Sequence, residues 1–374
     1  MKKFLKNNHT GIILVFLLCI PFFNNIITVP KGFSDLENRV LTTDIKWDKD
    51  MLKSGVLAER VENFVQDQFP LRDLFVNVKS DVAVLLGKKE NNNVYLGNDG
   101  YLFGQQSPQS DIFEDNLNAI KILSKGLEDK IKIFAVPLSG AIYEDKLPLG
   151  IDAKDQMETL KTFQEAVNGL GEYIDLSSKF KDHLSESIYF KTDHHWTPYG
   201  AYLAYELLME KMQVDPIALE YFTKNTVDGF HGTYYSKFRG NFISPEPFTY
   251  YKNPMDNLKV NYVGMDDKKN TLFYEEYLQE RDKYKMFLGG NDPLVTIEND
   301  QAKNNKKVLV LKDSYANAMT PFLGETFKEV HLLDLRYYNL SLKKYMEEEN
   351  FDEIILLYGM DSYLEQRQLR NMGY

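Results

Sequence analysis

The run Val308-Leu309-Val310-Leu311-Lys312-Asp313-Ser314-Tyr315-Ala316-Asn317 decides the fold. Its four leading apolar residues show no polar alternation, the pattern of a strand buried on both faces. Two runs of the same kind follow, Val330-His331-Leu332-Leu333-Asp334-Leu335 and Ile354-Ile355-Leu356-Leu357-Tyr358. Helix-like stretches separate them. Strands joined by crossover helices make a parallel sheet, so the spacing predicts an α/β fold with a mostly parallel sheet flanked by helices. Ligands of such sheets bind beyond the carboxyl ends of the strands. Ser314 falls there, ahead of a short helix whose first amides can face an oxyanion. A serine after a strand is most often only a cap, so chemistry at Ser314 needs partners elsewhere in the chain.

Those partners lie in Tyr189-Phe190-Lys191-Thr192-Asp193-His194-His195-Trp196-Thr197-Pro198-Tyr199-Gly200, which holds two of the six histidines and one of the two tryptophans. In an extended segment side chains alternate, so Asp193 and His195 are expected on one face and His194 on the other. A carboxylate so placed can fix an imidazole tautomer and stabilise the imidazolium. Thr197 reads as an N-cap with Pro198 at the first helical position. Gly200, Leu203, Ala204, Leu207 and Leu208 then give the stripe of a packed helix. Such a histidine block can also be plain core, or a metal site, since Asp and His are ligands. No cysteine or HxxxH spacing supports a metal, and none is expected. Nor is any other cofactor. Ser314, His195 and Asp193 together supply a nucleophile, a base and a group to orient it.

Composition narrows the partners. The 374 residues carry a formal net charge of −11, which argues against nucleic acid, whose phosphates need a basic face. A neutral sugar polymer stays open, and the 13% aromatic content suits flat, hydroxyl-rich ligands as well as a core. The single cysteine, Cys19, lies in the N-terminal apolar run, so the rest of the chain relies on its core rather than on disulfides.

Lys2, Lys3 and Lys6 precede an apolar run over residues 11–29 that lacks a small-x-small cleavage site. We read residues 1–29 as an uncleaved signal-anchor, making the protein a single-pass membrane protein with its body on the extracytoplasmic side. A cleaved signal peptide, and hence secretion, is the alternative. Residues 30–93 form a linker and amphipathic helices broken at Pro70, and residues 94–374 the α/β domain. Within it a loop- and strand-rich insertion is expected at about residues 215–305, where Tyr, Asn, Gly and Asp replace long apolar runs. Val94 to Phe103 reads as a hairpin around Asn98-Asp99-Gly100. Helices are expected over 110–127 and 154–169, a core strand over 131–137 and a short strand at Tyr173–Leu176.

Thr192-Asp193-His194-His195-Trp196-Thr197 combined with Leu311-Lys312-Asp313-Ser314-Tyr315 resembles the DHHW-motif proteins, relatives of the alginate O-acetyltransferase group with an SGNH-hydrolase-like domain. The likeness extends to Phe33-Ser34-x-x-Glu37-Asn38-Arg39, Gly97-x-x-Gly100-Tyr101-Leu102-Phe103 and Asp334-Leu335-Arg336-Tyr337-Tyr338, nearly the whole chain after the apolar segment. It implies that Ser314 carries the acyl group, His195 is its base and Asp193 the orienter. The Asp-His pair precedes the serine, as in this group and unlike ordinary SGNH hydrolases. It further implies acetyl supplied by a membrane acyltransferase partner. The serine block reads Lys-Asp-Ser where SGNH hydrolases show Gly-Asp-Ser. Gly289-Gly290-Asn291-Asp292 is similar to the SGNH Gly-x-Asn-Asp block, whose Asn donates to the oxyanion, although such a run is more commonly a turn. Arg336 is a candidate for substrate oxygens or for a surface ion pair. Tyr315 and His194 complete the candidates for contact with oxyanion or substrate.

Two functions fit. One is an extracytoplasmic serine-dependent O-acyltransferase acting on a cell-surface or exopolysaccharide glycan, or an acetyl esterase if water takes the acyl group. The other is a non-catalytic envelope protein that binds glycan or organises an export complex on the same fold.

Overall fold

The computed structural model describes residues 29–34, 36, 37, 39–46, 49–253 and 257–373. The expected membrane segment lies outside them except for Val29. No helix among the described residues is long and apolar enough to cross a membrane. The chain divides into two compact units, one made of the residues up to Lys88 with Arg239–Ile243, the other of Lys89–Phe238 with the residues from Ser244 on.

In the first unit β1 (Phe33–Ser34) pairs antiparallel with β2 (Arg39–Val40), followed by α1 (Lys49–Ser54), α2 (Val56–Asp67) and α3 (Arg72–Leu85). The helices break at Pro70 as expected, with Leu71 at φ 57°. The Glu-Asn-Arg block is a clamp. Glu37 takes ion pairs from Arg39 and Arg72, both at 2.8 Å. Burial works against the Glu37 charge, but the two guanidiniums outweigh it and hold the carboxyl below its ordinary range. Arg239, buried in this unit, donates to Asn77 Oδ1 at 2.8 Å.

The second unit opens with a three-stranded antiparallel sheet, β3 (Glu90–Asn91), β4 (Val94–Leu96) and β5 (Leu102–Gly104). There follow α4 (Asp111–Ser124), β6 (Ile131–Val136), α5 (Ser139–Ile142), α6 (Lys154–Ala166) and β7 (Glu172–Tyr173). The expected short strand stops at Tyr173, because Asp175 caps a new helix by accepting from Ser177 N at 2.9 Å. That helix is α7 (Leu176–Lys181), and α8 (Pro198–Lys211) comes next, with Thr197 Oγ1 accepting from Gly200 N at 3.1 Å as its cap. The chain continues through β8 (Thr223–Phe230), α9 (Thr233–Phe238), β9 (Glu246–Lys252), β10 (Lys259–Tyr262) and β11 (Leu294–Glu298). It ends with β12 (Asn304–Lys312), α10 (Tyr315–Thr326), β13 (Phe327–Leu333), α11 (Leu342–Glu349), β14 (Glu353–Gly359) and α12 (Met360–Glu365).

The three apolar runs become β12, β13 and β14 of one seven-stranded sheet, in the order β10-β11-β13-β12-β14-β6-β7. The pairs from β13 to β7 are all parallel. β11 runs antiparallel to β13, and β10 antiparallel to β11. The segment expected as an insertion therefore supplies two strands of the main sheet besides the separate β8–β9 pair. Their alternating Val-x-Ile and Val-x-Tyr patterns are too short to stand out beside the turn residues around them.

Side chains alternate across β12, with Val308 and Val310 in one core and Leu309 and Leu311 in the other. The first core packs against α8 and α10 through residues such as Leu203, Leu208, Met319 and Phe322. The second packs against α4, α6 and α12 through Phe113, Ile120, Phe163 and Tyr363. Burial on both faces explains why these strands have no polar alternation. It also puts the end of β12 in the middle of the sheet, where Ser314 begins α10.

Candidate active site

The loop from Lys191 to Thr197 was expected to be extended, with His194 and His195 facing apart. It is instead a succession of bends. Both imidazoles come to Asp193, their Nδ1 atoms 3.4 Å (His194) and 2.5 Å (His195) from its Oδ1, and the two rings lie 3.7 Å apart. Tertiary contacts impose the bends. Thr192 N and Lys191 N both donate to Glu246 at 2.8 Å. Asp193 Oδ2 accepts from Thr233 N at 2.6 Å. Gly232 permits that approach, since a Cβ on it would lie 2.2 Å from Asp193 Cβ.

Two bonds tie this loop to the serine helix. Trp196, fully buried, donates from Nε1 to Tyr315 O at 3.0 Å, and Tyr315 Oη donates to His194 O at 2.6 Å. Asp313 anchors the other side. Its Oδ1 accepts from Tyr315 N at 2.8 Å, and its Oδ2 from Gly359 N and Ser362 Oγ, both at 2.7 Å. The ends of β12 and β14 are thereby fixed to one another.

Within this frame His195 is bonded at both ring nitrogens. Nδ1 donates to Asp193 Oδ1, and Nε2 is 2.7 Å from Ser314 Oγ. Tyr284 stacks on the ring at 3.9 Å and 8°, while its hydroxyl donates to Ser314 O at 3.1 Å. Burial disfavours the Asp193 charge, but the two imidazoles and the hydrogen bonds from His195 outweigh it and hold the carboxyl far below its usual range. His194 is lowered to about 3, first by burial and then by His195, so it is neutral at ordinary pH. Its Nδ1 is also 2.6 Å from Thr233 Oγ1. Asp193, His194 and His195 lie close enough to share an ion. In this structure, however, the His194 Nδ1 and His195 Nε2 positions are both occupied by hydrogen bonds to hydroxyls.

The remaining candidates fall into different settings. Tyr315 is buried and its hydroxyl is committed to the His194 carbonyl, so it holds the loop. Arg336 forms a two-pronged pair with the buried Asp334, Nε to Oδ1 at 2.9 Å and Nη2 to Oδ2 at 2.6 Å. Asn291 sits beside the first turn of α10. Its Oδ1 accepts from Asn317 Nδ2 at 3.1 Å and from Lys312 Nζ at 3.3 Å. Tyr284, Thr233 and Glu246 were not singled out by the sequence. They carry no motif, and their one shared signal is membership of the tyrosine-rich stretch after residue 215 or its immediate flank.

Geometrically, a hydroxyl on a helix start faces an imidazole oriented by a carboxylate. That arrangement can move a proton from Ser314 Oγ to His195 Nε2. Fold and site together define an α/β protein with a Ser–His–Asp arrangement at the carboxyl end of a central parallel strand.

The sequence family described as DHHW protein matches residues 145–333, just over half of the chain, and the chain belongs to that family. Among solved structures, a DHHW family protein from Eubacterium siraeum is 25% identical, covering 75% of this chain and 95% of that one with a TM-score of 0.63. Bacillus cereus PatB1 is 25% identical over 72% of this chain and 97% of that one, at a TM-score of 0.59. Its form with a sulfonyl adduct gives 24%, 74%, 96% and 0.61 for the same quantities. The O-acetyltransferase domain of Pseudomonas putida AlgJ matches at 16% identity over 75% of this chain and 99% of that one, with a TM-score of 0.48. Comparison with curated protein sequences returns no match.

Proposed function

We propose that this protein is a serine-dependent O-acyltransferase that works through an acyl-serine on an SGNH-like sheet. The observation that carries the reading is the bonding of His195 at both nitrogens, to Asp193 and to Ser314 Oγ. Ser314 Oγ attacks the donor's carbonyl carbon, and its proton passes to His195 Nε2 as the new C–O bond forms. The oxyanion is met by Asn291 Nδ2, since the Tyr315 and Asn317 amides at the start of α10 are already bonded to Asp313 Oδ1 and Ser314 O. The bond to the leaving group breaks as His195 returns the proton to it. In the second half an acceptor hydroxyl gives its proton to His195 and attacks the acyl carbon, and the acyl–Oγ bond breaks as His195 passes that proton to Ser314 Oγ.

The acceptor we assign is a sugar hydroxyl of a cell-surface or exopolysaccharide glycan, with acetyl supplied by a membrane acyltransferase. This assignment draws on the DHHW-family relationship and on the basic, apolar N-terminal sequence, which argues for a body anchored outside the cytoplasm. With water as acceptor the same steps make an acetyl esterase.

The test is to trap the intermediate. The full chain is incubated with p-nitrophenyl acetate, its intact mass is taken and the modified peptide is mapped. An acetyl group on Ser314, absent in Ser314→Ala and in His195→Ala, is expected. Candidate oligosaccharides then divide transfer from hydrolysis. A folded protein that gives neither adduct nor nitrophenol would overturn the reading in favour of a binding protein.

A further inference from the structure

The steps above leave Lys312 without a task. It ends β12, two residues before Ser314, and is fully buried. Burying an ammonium is costly unless hydrogen bonds and opposite charges compensate. Burial pushes it down to about 8, with the Asp334 carboxylate as the leading counterweight.

Its Nζ donates to Asn317 Oδ1 at 2.6 Å and to Asn291 Oδ1 at 3.3 Å. Asn317 Nδ2 donates in turn to Asn291 Oδ1 at 3.1 Å and to Gly290 O at 3.4 Å. The Asn291 oxygen therefore meets two donors. Turning its carboxamide over would set an NH2 group against an ammonium and an amide, donors facing donors. The network holds the oxygen against Lys312 and Asn317 and leaves Nδ2 outside these bonds.

The loop carrying Asn291 needs such a hold. Leu288, Gly289 and Gly290 have φ of 63°, 65° and 115°, three successive residues in the left-handed region. A leucine there is strained and persists only where its surroundings enforce it. Lys268 holds the same loop, donating to Gly289 O at 3.1 Å and to Leu288 O at 3.3 Å. Asn317 lies one turn beyond the nucleophile, its N–H donating to Ser314 O at 3.2 Å, so the network touches the helix start itself.

We propose that Lys312 is a positioning residue that, with Asn317, locks the Asn291 carboxamide so that Nδ2 is presented to the oxyanion beside Ser314. It rests on the serine-centred reading above. It gives a physical reason for a lysine at the end of β12, where SGNH hydrolases show a glycine. The amine touches no reacting atom and acts through Asn291.

The experiment compares Lys312→Met, which keeps the length and removes the amine, with Asn291→Ala and the double variant. Removing one oxyanion donor costs about 10²–10³-fold in kcat, so both single variants should lose kcat on p-nitrophenyl acetate on that scale. KM should stay within about twofold, as expected of an interaction made in the transition state. The double variant should be no worse than Asn291→Ala. Wild-type kcat in a folded Lys312→Met, or losses that multiply in the double variant, would overturn the proposal.

Should Lys312→Met fail to fold, Asn317→Asp offers the amine a carboxylate that draws it from Asn291. That variant is expected to lose kcat with its near-UV circular dichroism intact, and wild-type kcat in it would sink the idea. A readout independent of turnover is the side-chain amide resonance of Asn291 in full-length protein selectively labelled with ¹⁵N. It should shift and exchange faster in Lys312→Met, or in Asn317→Asp if that is the variant that folds. An unchanged resonance overturns the proposal even where kcat falls. If wild-type protein forms no acetyl-serine, the functional reading fails and this resonance alone judges Lys312.

Discussion

Asp193 is held by three hydrogen bonds and two imidazoles, and that has consequences for rate and for stability. In Asp193→Asn the amide cannot fix the same His195 tautomer, so kcat on p-nitrophenyl acetate should fall about 10³- to 10⁴-fold with KM little changed. Stability follows the depressed carboxyl. The stabilisation is fully present above the unfolded carboxyl value of about 4 and is lost as pH falls through the lower folded value. Urea titrations should show Asp193→Asn less stable than wild type at pH 7, with the gap closing in acid. Asp361 behaves in the opposite sense. Its Oδ1 is buried without a partner, and burial, then Glu365, push the carboxyl up to about 7. Between about pH 4 and 7 the folded state keeps a proton that the unfolded state has lost, so stability falls as pH rises. Asp361→Asn should gain on wild type over that interval and keep the full gain above it. A pH-independent difference between the two would rule this out. His194 is neutral down to about pH 3, so its own protonation adds no step to log kcat/KM above about pH 4.

At the scale of elements, the Asp-His-His-Trp loop draws its shape from segments far away in sequence. Gly232, ahead of α9, allows Asp193 to approach, and Glu246 of β9 holds Thr192. In Gly232→Ala the new methyl meets Asp193 at 2.2 Å, so the loop must move. Activity should drop by at least tenfold, since small misplacements of reacting groups cost heavily, and the thermal midpoint should fall. Equal activity to wild type would mean that the loop tolerates a shift. The same dependence explains what the sequence could and could not reveal. Strands β12, β13 and β14 were legible because burial on both faces writes an unbroken apolar run. The start of α8 was legible because Thr197 and Pro198 act locally. Asp193, His195 and Ser314 were legible as residue types that seldom gather without chemistry. The bends at 191–195 were not, since alternation along an extended chain is a local rule and Glu246, Gly232 and Thr233 override it. Tyr284 stacks on His195 by tertiary placement alone, with no spacing to announce it.

On the scale of the whole molecule, the sheet order places β12 fourth of seven strands, with β14 between it and β6. The residues that meet at the site thus come from two crossings of the chain, Asp193 and His195 before α8 and Ser314 after β12. Two hydrogen bonds from Trp196 and Tyr315 join these crossings. Trp196→Phe removes one of them, and the net loss of that bond should cost about 0.5–1.5 kcal/mol in chemical unfolding. A loss below half of that would mean another group satisfies the carbonyl. The position of β14 also orders events in time. Ile131 of β6 faces Ile354 of β14, so β6 has no neighbour on that side until the chain has been made past residue 359. At ribosomal speeds the interval is on the order of ten to forty seconds. Throughout it, a strand edge that is apolar except for Lys132 is open to any other strand that passes. A nascent chain of this protein therefore presents an unclosed central sheet to chaperones until β14 has been made.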